Sequence, residues 1–192
     1  MKPERPKITK FAEIPDVLTM EVPALECIVP ALGIARNTVA LWTGADGDGK
    51  TYLIQAMAIA TSQGVEFLGM QCQKTPVLYL DLENPAFMVQ DRLRSMVRGE
   101  PIPEFRVWGI WHEQQPPMVG SDLRLTIAKE TWPLIIVDPF RYFHNAEEND
   151  STAMSGVMKY LRACASYGAA VVLLHHPAKT EGSTGRGSSQ EL

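Results

Sequence analysis

The sequence predicts an α/β fold in three layers, a mainly parallel sheet with helices on both faces. Three observations carry that reading. Short, continuously apolar runs end in polar residues, stretches of helical periodicity lie between them, and glycine or proline marks the changes of period. Strands buried on both faces lose in–out alternation, and parallel neighbours need long crossovers, which the helices supply. With 192 residues, 45% apolar and 21% charged, the chain has the length and composition of one ordinary globular domain.

The first run is Thr38-Val39-Ala40-Leu41-Trp42, followed by a turn over Gly44 to Gly49. From Lys50, apolar Leu53, Ile54, Met57, Ala58 and Ala60 recur at helical spacing until Gly64. Val77-Leu78-Tyr79-Leu80 is a second buried strand. Pro85 suits the first turn of a helix carrying Val89, Leu93, Met96 and Val97, which Gly99-Glu100-Pro101 ends. Arg106 to Ile110 is a weaker third strand, and Leu134-Ile135-Ile136-Val137 a strong fourth. Asn149, Asp150 and Ser151 offer N-caps to a helix with Met154, Val157, Met158, Leu161 and Ala165 on its inward face. Gly168 stops it, and Ala169 to Leu174 is the fifth strand. Residues 1–37 hold Pro3, Pro6, Pro15, Pro23 and Pro30 and read as an extended arm. The domain division drawn from this is an arm over 1–27 and a core over 28–192. Gly182 to Ser189 has loop composition.

Several function classes are disfavoured at once. Eighteen basic against twenty-two acidic residues give a net charge of −4, which argues against gripping a polyanion through bulk charge. Cys27, Cys72 and Cys164 are an odd, widely spaced set without CxxC, so neither a disulfide framework nor a cysteine zinc site is expected. No apolar run approaches the roughly 18 residues of a membrane span. Pro15, Asp16 and Glu21 interrupt any hydrophobic region that could follow Lys2, Arg5 and Lys7 in a secretory signal. A cytoplasmic protein is the expectation.

Gly44-Ala45-Asp46-Gly47-Asp48-Gly49-Lys50-Thr51 fits G-x-x-x-x-G-K-[ST], with a strand before it and a helix after it. Glycines let successive N–H groups turn around a phosphate, and the helix N-terminus adds partial positive charge. Lys50 then reaches the β- and γ-phosphates of ATP, the Thr51 hydroxyl ligates Mg2+, and Tyr52 closes the nucleotide-binding stretch. Asp46 and Asp48 would repel a triphosphate; because the loop binds through its backbone, both carboxylates are expected to point outward.

Three further positions fall at strand ends, where open α/β sheets bind ligands. Asp138 ends the fourth strand, either in the Mg2+ shell or as a turn residue before Pro139. In Leu80-Asp81-Leu82-Glu83-Asn84-Pro85, alternation puts Asp81 and Glu83 on one side, Glu83 nearer the ligand edge. Glu83 is positioned either to activate the water that attacks the γ-phosphate or to serve as a solvated loop acid near the next helix. His175 and His176 point to opposite faces of their strand, so they do not readily chelate one metal. One can face the nucleotide and sense the γ-phosphate, the other the flanking layer; satisfied core or edge histidines are the alternative. Trp108, Trp111 and Trp132 read as packing aromatics, with base stacking the lesser alternative, and His144 with Glu147, Glu148 and Asp150 as a solvated acidic segment before a helix or a nucleotide-facing loop.

Taken together, the segments resemble the RecA/DnaB-type P-loop ATPases, and among them the RepA-like hexameric replicative helicases, often described as AAA family ATPases. The matching pieces are Leu41-Trp42-Thr43-Gly44 into the loop, Val77 to Asn84, Ile135-Ile136-Val137-Asp138-Pro139-Phe140-Arg141-Tyr142-Phe143-His144 with Glu147-Glu148-Asn149, Val171 to Lys179, and Arg186-Gly187-Ser188-Ser189. They span residue 28 to the end. The resemblance implies that Lys50 and Thr51 bind triphosphate and Mg2+, Glu83 is the catalytic base, Asp138 is the metal-shell aspartate, and His176 is the γ-phosphate sensor. Arg92 matches an arginine of relatives in the helix after the glutamate, and Arg186 a loop near the ring interior. Relatives continue with further strands and an arginine finger. The chain is therefore expected to be truncated at its C-terminus, a fragment of a longer protein, with an exposed sheet edge.

The resemblance implies a ring-shaped homo-oligomer that couples ATP hydrolysis to movement along single-stranded DNA in replication. Two other functions use the same loop: a regulatory or recombinase-like ATPase acting as a nucleotide-gated binding module, and a small-molecule kinase. A short variant that binds ATP with little hydrolysis is a further alternative. The Glu83 and histidine strands resemble water-activating ATPases more than kinases.

Overall fold

The computed structural model describes residues 10, 14, 16–22, 24–45, 47–97, 102–120 and 132–175. Strands β1 (Cys27–Val29) and β2 (Ile34–Ala35) come first, then β3 (Val39–Thr43), α1 (Lys50–Gln63) and β4 (Val77–Asp81). Helix α2 (Ala86–Val97), β5 (Phe105–Gly109), β6 (Leu134–Asp138), α3 (Ser151–Ala165) and β7 (Ala170–His175) follow. Strands β3 to β7 form one five-stranded sheet in the order β3-β7-β6-β4-β5, and every pairing in it is parallel. This is the RecA-like α/β P-loop architecture that the sequence predicts.

Alternation along the buried strands assigns each residue to a face. Val77 and Tyr79, Leu134 and Ile136, and Val172 and Leu174 pack with Ile54, Met57 and Ala58 of α1. Leu78 and Leu80, Ile135 and Val137, and Val171 and Leu173 pack with Val157, Leu161 and Cys164 of α3. Two apolar clusters thus sandwich the sheet, one under α1 and α2 and one under α3. Trp108 and Trp132 pack against the α3 cluster. Trp111 lies so close to Gly109 that a Cβ there would strike its ring. The expected packing roles of these tryptophans hold.

Helix boundaries follow local chemistry. Gly64 ends α1 with φ +74°, its N–H donating to the carbonyls of Ala60 and Thr61. The Asp150 carboxylate caps α3 by accepting from the N–H groups of Thr152 and Ala153. Pro85 lies one residue ahead of α2 instead of inside its first turn. The third strand begins one residue earlier than expected, at Phe105, because Val77 N–H bonds Glu104 C=O and sets the register there.

The extended-arm reading of residues 1–37 requires correction at its end. Cys27–Val29 and Ile34–Ala35 form an antiparallel hairpin around a 3-10 turn at Pro30–Leu32. Ile28, Val29 and Ile34 belong to the α1-side core. Strand β3 is a sheet edge among the described residues, pairing with β7 on one side, and its Leu41 is 54% exposed. No helix among the described residues is long and apolar enough to cross a membrane.

Candidate active site

Strand β3 delivers the chain to a glycine-rich loop, and α1 begins directly after it at Lys50. Gly47 and Gly49 have φ of +86° and +78°, left-handed values that favour glycine. Gly49 is the N-cap of α1 and has no side chain to satisfy the first-turn N–H groups. Those donors, with the helix dipole behind them, suit an anion. The Lys50 Nζ donates to the carbonyl oxygens of Gly44, at 2.6 Å, and Ala45, at 2.5 Å, so the ammonium lies across the loop. A Cβ on Gly44 would stand 3.2 Å from the Lys50 Cδ; glycine here leaves room for the lysine stem. Asp48 is exposed, but its carboxylate does not point away from the loop as expected: a Cβ on Gly44 would stand 3.3 Å from the Asp48 Oδ2. Thr51 is half-buried at the start of α1, and the exposed Tyr52 ring lies under the Arg92 guanidinium at 4.8 Å.

The carboxylates sit on the same face as α1. Asp81 and Asp138 are register partners on β4 and β6, both buried, and both continue the α1-side alternation of Tyr79 and Ile136. Their roles divide. Asp81 accepts from the N–H groups of Glu83 and Asn84 and from the Asn84 side-chain amide, at 2.8–3.2 Å. Its charge is thereby used to build the turn that carries Glu83 beyond the strand end. Leu82 N–H also donates to the Asp138 carbonyl at 2.9 Å, tying that turn to β6. Glu83 itself is exposed, and Asp138 receives a hydrogen bond from the Tyr79 phenol at Oδ2, at 2.5 Å. Burial pushes the Tyr79 phenol well above its ordinary pKa, and the Asp138 charge adds to the shift, so the hydroxyl remains a donor.

The parallel sheet thus puts the Lys50 loop, Asp138 and the Glu83 turn at one edge, with Asp138 on the face that α1 covers. Gly44, Ala45, Gly47, Asp48 and Gly49 line the loop there. His175 goes to the opposite face. It pairs in register with Thr43, lies edge-on to Phe140 at 6.2 Å, and holds its Nδ1 3.8 Å from the Glu148 Oε1. His176, Asp46 and Arg186 lie outside the described residues. The solvated-segment reading fails for His144 and Glu148. His144 is only 4% exposed, edge-on to Phe140 at 4.6 Å, and burial lowers its pKa against the opposing pull of Glu148. Glu147 and Asp150 are exposed as expected.

Among the described residues, no group of three or more His, Cys, Asp and Glu side chains is arranged to hold a metal unaided. Mg2+ keeps waters and shares its shell with phosphate oxygens, so it needs only one or two protein oxygens. Thr51 and Asp138 are the candidates. The N–H cradle, the lysine and these two oxygens together suit a magnesium nucleoside triphosphate. The sequence reading missed Tyr79 and the turn-building role of Asp81; the shared side of residues 79 and 81 on β4 was the available signal.

The model of the AAA domain family matches residues 3–182 of this chain, nearly its whole length.

Proposed function

The chain belongs to the AAA domain family, an ATPase-type family, and on that premise we propose that it binds and hydrolyses ATP with Mg2+ as the core of a ring-forming helicase acting on single-stranded DNA in replication. The observation that carries the ATPase reading is the convergence of the Lys50 loop, Asp138 and the Glu83 turn on one sheet edge. The first-turn N–H groups of α1 and the Lys50 ammonium hold the β- and γ-phosphates. Thr51 and Asp138 would hold Mg2+, which would supply charge neutralisation at the phosphate oxygens. Glu83, presented to solvent by the Asp81 turn, orients a water and accepts its proton as the oxygen attacks the γ-phosphorus. The bond from that phosphorus to the bridging oxygen breaks, and ADP leaves. His176 donates a hydrogen bond to the γ-phosphate in this scheme.

The ring, the DNA and the replication role rest on the resemblance of the motif set. The test is ATP turnover with and without single-stranded DNA, paired with unwinding of a forked duplex. Turnover stimulated by DNA and accompanied by unwinding supports the motor. Nucleotide-dependent partner binding without unwinding supports the regulatory module, and phosphate transfer to a metabolite supports the kinase.

A further inference from the structure

We propose that Tyr79 is a positioning residue for the metal side of the site, its phenol fixing the orientation of the Asp138 carboxylate. This rests on the reading of Asp138 as a magnesium ligand. Tyr79 lies mid-strand in β4, wholly buried, between apolar Leu78 and Leu80. Its register partner on β6 is Ile136, so Asp138 is the diagonal neighbour on the same face. The side chain therefore runs along the sheet toward the ligand edge, and its hydroxyl ends on Asp138 Oδ2.

Packing alone does not account for a tyrosine here. The ring makes an edge contact with Phe105 at 6.2 Å, and it sits in the apolar cluster with Met57 and Ile136. A phenylalanine would serve that role without burying a hydroxyl, whose desolvation must be offset by a partner. The partner is the carboxylate of Asp138. The terminal torsion of an aspartate is broad and roughly two-fold, so an unguided carboxylate samples many orientations. A buried donor locked onto one oxygen restricts that freedom. Outer-shell donors of this kind commonly change metal affinity by 10- to 100-fold.

Tyr79→Phe keeps the ring and removes the donor. Binding of Mn2+, as a paramagnetic substitute for Mg2+, is followed by electron paramagnetic resonance with a non-hydrolysable ATP analogue present. The half-saturating Mn2+ concentration is expected to rise about 10-fold in Tyr79→Phe. Affinity for the analogue in excess chelator is expected to stay unchanged. In an Asp138→Asn background the same substitution is expected to produce no further loss of metal binding. A purely structural role predicts a lower melting temperature with metal half-saturation unchanged, or an equal increment in both backgrounds; either result overturns the inference. If the unsubstituted protein binds no nucleotide, the ATPase reading falls and takes this one with it. If it binds nucleotide and metal while Tyr79→Phe changes neither, only the role of Tyr79 falls.

Discussion

Helices α1 and α2 cover the same face of the sheet and are built differently. Of the residues in α1, Ile54, Gln55 and the unbroken run from Met57 to Ser62 are buried, whereas Val89 alone is buried in α2. Phe87 is 71% exposed and Met88 43% exposed on α2. The reason lies in neighbours. Helix α1 packs into the cluster formed by the sheet and the β1–β2 hairpin, while α2 covers the flank near the edge strand β5. A helix apolar all round belongs inside, and one with a single apolar stripe lies on the surface. The phosphate loop is thus mounted on the more deeply embedded helix, and the Glu83 turn leads into the looser one. On the proposed function, binding would rest on the more rigid helix and turnover on the one with less local contact.

The sharpest way to separate the two regions is to remove one chemical group from each. Glu83→Gln is expected to lower turnover by about 10²- to 10⁴-fold, the usual contribution of a general base, while leaving nucleotide affinity near that of the unsubstituted protein. Normal turnover by this variant, measured as phosphate release, would remove Glu83 from the mechanism. Lys50→Ala is expected to weaken ATP binding by about 10²-fold, since it deletes a charge-assisted contact to phosphate. Calorimetry showing unchanged affinity would break the assignment of the loop.

Smaller effects sharpen the packing contrast. Ile54→Ala in α1 is expected to cost about 2–5 kcal/mol of stability, as for large-to-small changes in a tight core. Phe87→Ser in α2 is expected to stay within about 0.5 kcal/mol. Equal costs by denaturant unfolding would mean that the two helices are equally embedded. A pH effect separates the other face of the sheet. Burial lowers the pKa of His144 below its ordinary 6.5, opposed by Glu148 and aided by Arg141 and His175. The unfolded chain then binds its proton first, so stability falls as pH drops below about 6.5 and levels off beneath the folded-state pKa. His144→Phe is expected to flatten that part of the melting-temperature profile, and an unaltered profile would exclude the residue as the cause.

The strands and the phosphate loop were legible because their signals are local. Leu134 to Val137 is continuously apolar, and the loop has fixed spacing between a strand and a helix. The β1–β2 hairpin was not, since its strands are only three and two residues long and Pro30 between them resembles arm composition. Its stability comes from packing Ile28, Val29 and Ile34 against α1, a long-range effect that periodicity does not record. Asp138 and Glu83 were visible as acids at strand ends. Tyr79 was hidden because a phenol in an apolar strand looks like ordinary packing until its diagonal neighbour is known. His144 was misjudged for the converse reason: polar Asn145 and acidic Glu147 beside it in sequence advertise solvent, while Phe140 closes over it in space.

The backbone bond from Leu82 to Asp138 fixes more than a turn. Neighbouring strands stand about 4.8 Å apart, and this bond extends that spacing one residue past β4, to the point where the proposed proton acceptor Glu83 leaves the proposed metal ligand Asp138. The gauge of the proposed reaction is thus a property of the peptide lattice. Side-chain substitutions can retune charge and angle within it, yet the span itself is inherited by every variant that still forms the sheet.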